Sequence, residues 1–136
     1  MKRNLILFVA FLFPMAAFGG KEERDFLKDK VAPAIADAQS AVKKSCGCAW
    51  KITLDEKTNP TVADMRQAEY FFSDVKAGAA KYCTGPDEKK AICKMKSLKI
   101  VKGKETAFTF SGSAGVATTD GQANVMFDNI ASQLDK

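Results

Sequence analysis

Apolar residues recur along this chain at two periods, and the changes of period mark its elements. Between residues 22 and 44, Leu27, Val31, Ile35, Ala38 and Val42 follow at spacings of four, four, three and four, which places them on one face of a helix. Pro33 falls inside the pattern, where a proline either kinks a helix or occupies its first turn. The density of charge from Glu22 to Lys30 favours a helix that begins near Pro33 behind a looser arm. The period then drops to two. Cys46, Cys48, Trp50, Ile52 and Leu54 alternate with Gly47, Ala49, Lys51, Thr53 and Asp55, as in a strand with one buried and one solvated face. Both cysteines then turn inward, alongside the only tryptophan.

Helical spacing returns after Asn59-Pro60-Thr61, where Thr61 and Asp64 form a capping pair. Val62, Met65, Ala68, Phe72, Val75, Ala79 and Tyr82 supply a buried stripe that Tyr70 and Phe71 widen. Thr84-Gly85-Pro86-Asp87 ends this helix and opens a short third one, with Ile92 and Met95 inward. Strands follow at 98–101, at 106–110 with Phe108 and Phe110 on one face, and at 116–118. Ser111-Gly112-Ser113-Ala114-Gly115 reads as a loose turn between the last two. A final helix carries Ala123, Met126, Phe127, Ile130 and Leu134. This order predicts an α+β fold: a small antiparallel sheet of three or four strands with helices packed on one face.

The start of the chain changes this picture. Lys2 and Arg3 precede an apolar run from Leu5 to Phe18, and Ala17-Phe18-Gly19 offers small residues for cleavage. Residues 1–19 therefore read as a cleaved secretory signal peptide and 20–136 as one domain. The run is shorter than the ~20 residues a spanning helix needs, so no stable membrane span is expected after cleavage. Export points to a periplasmic or extracellular location. The form of the signal suggests a bacterial origin, as does the lack of any glycosylation sequon besides the disqualified Asn59-Pro60-Thr61.

Export in turn gives the cysteines a meaning. Four in a short exported chain predict a disulfide framework. Cys46 and Cys48 lie two apart on one extended segment with side chains roughly parallel, so bridging them would break the strand locally, and each is expected instead to reach Cys83 or Cys93. The spacing leaves open whether the pairs are 46–83 with 48–93 or 46–93 with 48–83. A sharper alternative makes Cys46-Gly47-Cys48 a thiol-redox or copper-handling site, favoured mildly by Lys43 and Lys44 and opposed by the inward orientation. Cys93 and Met95 offer soft ligands for cuprous copper. A zinc site is disfavoured, because C-x-C followed by two cysteines ten apart lacks the paired spacing of such sites.

Other chemistry is scarce. There is no histidine, which removes Ser-His-Asp, Cys-His and His-metal schemes. Ser40-Ala41-Val42-Lys43 spells S-x-x-K without its companion motifs, and the 111–115 turn has no phosphate-loop lysine. Neither an enzyme, a cofactor nor a metal is indicated. Charge is mild overall, 19 Lys or Arg against 16 Asp or Glu once Lys2 and Arg3 are set aside, but it is unevenly placed. Lys89, Lys90, Lys94, Lys96, Lys99, Lys102 and Lys104 follow one another without an intervening acid. They are the candidate partner-binding residues, toward an unknown protein or an anionic envelope component. Nucleic acid is disfavoured, because no arginine or aromatic is interleaved with them. The plainer account is that lysines on an edge strand keep that edge soluble. The expectation is a small exported, non-catalytic binding or inhibitor domain with a macromolecular partner.

Overall fold

The computed structural model describes residues 20–136, and the expected signal peptide lies outside the described residues. Helix α1 is continuous from Lys21: regular turns over Lys21–Phe26, a π-helical stretch over Leu27–Val31, and regular turns again over Ala32–Cys46. The looser arm expected before Pro33 is therefore helical. Pro33 has no N–H, and its ring presses on the carbonyl four residues back, so an ordinary helix would break. The wider π turn just before it, where the Ala32 N–H reaches back to the Leu27 carbonyl, absorbs the proline without a break.

The alternating stretch at 46–55 corrects a second expectation. Cys46 is the last residue of α1, and Gly47 ends the helix in the left-handed region at φ 84°. Only Lys51–Leu54 form strand β1. Burial still alternates from Cys46 to Ile52, because a helix end, a glycine turn and a short strand happen to reproduce the period. Cys48 is consequently half-buried rather than turned into the core.

Helix α2 spans Val62–Tyr82 behind the expected Thr61–Asp64 capping box. Phe71 joins its buried stripe, whereas Tyr70 faces solvent. Short helix α3 (Pro86–Ile92) leads into β2 (Ser97–Lys102). Strands β3 (Ala107–Ser111) and β4 (Ala114–Thr119) form a tight hairpin instead of flanking a loose turn, with Gly112 at φ 65° supplying the backbone that a two-residue loop needs. Helix α4 (Phe127–Leu134) begins later than expected, leaving Met126 exposed. The Phe127 N–H instead donates to Asp74 Oδ2 on α2 at 2.7 Å.

The fold is α+β with four strands and two disulfides, but the sheet is mixed, not antiparallel. Its order is β1-β2-β4-β3, with β1–β2 and β2–β4 parallel and only β3–β4 antiparallel. Helices α2 and α3 form the long crossover between β1 and β2, and such a return to the same end of the sheet makes neighbours parallel. The chain after β2 then skips a place, and the hairpin folds β4 back into the gap.

One contiguous core lies between sheet and helices. Trp50, Phe71, Phe72 and Phe127 are each at most 2% exposed, worth roughly 1.5–3 kcal/mol apiece. The Trp50 indole donates to the Ile92 carbonyl at 3.1 Å, and its ring centre lies 6.0 Å from that of Phe127. Among the described residues no helix is long and apolar enough to cross a membrane.

Candidate functional site: the open face of the sheet

Strand alternation divides the sheet residues into two sets. Ile52, Leu98, Ile100, Phe108 and Ala117 point to the helices and are buried. The other set is Lys51 and Thr53 on β1, Ser97, Lys99 and Val101 on β2, Ala107, Thr109 and Ser111 on β3, and Ala114, Val116 and Thr118 on β4. These are exposed or half-exposed, and no described element covers them. Pairing sets them in rows. Lys51 lies beside Ser97 and Ser97 beside Ala114, while the next row runs Thr53, Lys99, Val116, Thr109. A shallow depression of about 340 Å³ lies between these rows, lined by both lysines and floored by short side chains. With strands about 4.8 Å apart and two residues rising about 6.6 Å, the Cα atoms of Lys51 and Lys99 stand about 8 Å apart. Neither lysine has an ion-pair partner among the described residues. The outward strand positions carry no acid and no aromatic ring.

The tertiary structure disperses the run of seven lysines. Lys89 and Lys90 are exposed on α3, Lys96 precedes β2, and Lys104 lies in the loop after it. Lys94 is exposed but engaged within the fold, its Nζ donating to the Leu134 carbonyl at 2.8 Å and so capping the end of α4. Lys102 points to the helix side, where Nζ meets Asp64 Oδ1 at 2.7 Å. Burial pushes the Asp64 carboxyl upward, but hydrogen bonds from Lys102 and Thr61 outweigh it and hold its pKa below the ordinary 3.8. Of the seven, only Lys99 stands on the open face. Edge protection does not explain it, because β2 is a central strand. The edges are managed otherwise: the outward Ile52 N–H of β1 is satisfied by Gln39 Oε1 of α1 at 2.8 Å, while β3 carries no lysine at all. Lys51, the second cation of the face, escaped the sequence reading because it lies far from the run. Only the parallel pairing of β1 with β2 brings it next to Lys99.

The cysteines resolve to Cys46–Cys83 and Cys48–Cys93, with Cα separations of 5.3 and 5.7 Å. Cys46 and Cys83 are buried, whereas Cys48 and Cys93 are half-buried. Met95 is fully buried, packed under Gly115, so it and the bridged Cys93 present no soft ligand pair in this oxidised state. Among the described residues no cluster of three or more potential metal ligands occurs. Two disulfides fit an oxidising, exported setting. Compared with protein-family models, with curated proteins and with solved structures, the chain finds no match.

Proposed function

We propose that this chain is a small exported, non-catalytic binding or inhibitor domain, periplasmic or extracellular and of bacterial type. It meets a macromolecular partner through the open face of its sheet. The observation that carries this reading is that face: a four-stranded surface of hydroxyl, methyl and two unpaired ammonium groups, opposite a helical layer that closes the core. A sheet surface pre-ordered by two bridges binds with little loss of conformational freedom. Side chains on such a scaffold keep their spacing, as recognition requires.

The test is a photo-crosslinking side chain placed either at Thr109, on the open face, or at Lys76, exposed on α2, in the exported protein. A discrete adduct from position 109 and none from 76 is the expected outcome. Adducts only from 76 would move the recognition surface to the helices and reject this reading.

A second reading, thiol exchange or copper handling through Cys46-Gly47-Cys48, has one observation in its favour, the half-exposed Cys48–Cys93 bridge. It requires that bridge to exchange reversibly with a dithiol while the fold persists. A redox titration followed by thiol-labelling mass spectrometry distinguishes the two.

A further inference from the structure

We infer that the open face takes an acidic, extended polypeptide segment of its partner, laid across the strands with carboxylates on Lys51 and Lys99. The inference deepens the binding-domain reading and rests on it. Its basis is the charge of the face. Two lysines without counter-ions project from neighbouring strands, the outward positions around them carry no acid, and the rest of that surface is short and uncharged.

The same surface argues for the class of polyanion. It has no outward aromatic ring, so it lacks the stacking platform on which sugars and unpaired bases are held. Two cations are fewer than the clusters of about four to eight by which proteins hold anionic membranes. A lysine is a flexible point charge, suited to single carboxylates more than to the bidentate geometry arginine gives phosphates. Side chains two apart on an extended segment stand about 6.8 Å apart, within reach of two lysines about 8 Å apart at their Cα atoms. Ser97 and Thr53, beside the lysines in the two rows, supply hydroxyls for the peptide groups between.

The probe is a capped eight-residue peptide of alternating Glu and Ser, titrated into the isotope-labelled mature protein and followed by two-dimensional NMR at low salt. Shift changes are expected at Lys51, Thr53, Ser97, Lys99, Ala114 and Val116. Affinity should fall roughly tenfold in the K51E/K99E double variant, since reversal turns two attractions into repulsions, while K89E/K90E stays within about twofold of the parent. Lys51 and Lys99 make no side-chain bond that the fold needs, and unchanged thermal unfolding of the double variant verifies this.

Shifts centred on Lys89 and Lys90, or equal affinity in the double variant, would overturn the proposal. So would tighter binding of polygalacturonate or phosphatidylglycerol vesicles at the same residues, because either names another class of partner. The cross-link at position 109 separates this failure from the broader one. An adduct that survives K51E/K99E rejects the acidic segment and keeps the face, whereas no adduct even in the parent rejects the face itself.

Discussion

Asp64 shows how much one side chain can organise. Its Oδ2 accepts from Thr61 Oγ1 at 2.8 Å and from the Thr61 N–H at 3.3 Å, while Oδ1 holds Lys102 at 2.7 Å. The start of α2 is thereby tied to the end of β2, the strand that also carries Lys99. Because the folded pKa of Asp64 lies below its unfolded value, its stabilising contribution is complete above the ordinary aspartate range. That contribution drains away as pH falls through 3.8 toward the lower folded value. Asp64→Ala is expected to cost roughly 1–2 kcal/mol at pH 7, the size of a lost helix cap with a charge-assisted hydrogen bond. The cost should shrink when urea unfolding is repeated near pH 3. An equal loss at both pH values would show that the carboxylate charge contributes nothing.

Between elements, α4 approaches α2 closely at Gly78. A Cβ built on Gly78 would stand 2.6 Å from the Phe127 ring carbons and 2.8 Å from Phe127 Cβ. Helix propensity alone makes Gly78→Ala favourable by roughly 1 kcal/mol, since alanine restricts the unfolded chain. Overpacking against a ring that is also wedged between Trp50 and Tyr82 costs about 1–3 kcal/mol. Packing should win, so Gly78→Ala should destabilise. Pairing it with Phe127→Leu should recover part of the loss in thermal unfolding. A stabilised single variant would mean that α4 can slide away from α2 freely.

At the scale of the molecule, the two bridges fasten the junction between α1 and β1 to the far ends of α2 and α3. They join residues 37 and 45 positions apart, each stabilising by roughly 4 kcal/mol in the loop-entropy account. Loop length does not separate them, but access does. Cys48–Cys93 is half-buried and Cys46–Cys83 buried, so limiting dithiothreitol should open the former first. Trp50 follows Cys48 by two residues and bonds the carbonyl next to Cys93, so its fluorescence should report that step before global unfolding. Mass spectrometry after alkylation identifies the opened pair. Labelling of Cys46 and Cys83 first would contradict the order of exposure.

Period, caps and composition were enough to find each helix and strand, to place most of their ends within a few residues apart from the starts of α1 and β1, to bury Trp50, Phe72, Ile100 and Ile130, and to mark all four cysteines for bridging. Those signals are local, because helix and strand spacing, capping chemistry and redox compartment act within a few residues or on the chain as a whole. Strand direction is not local. A mixed sheet and an antiparallel one share the same alternation, and only the packing of the α2–α3 crossover decided that β1 and β2 run parallel. The period at 46–55 misled for a related reason, since a helix end followed by a glycine turn can bury every second residue as a strand does. The candidate site depends on the same long-range choice. The run of lysines is plain in the sequence, but tertiary contacts tied Lys94 to the end of α4 and Lys102 to Asp64, set Lys99 on a central strand, and brought Lys51 beside it across the β1–β2 pairing.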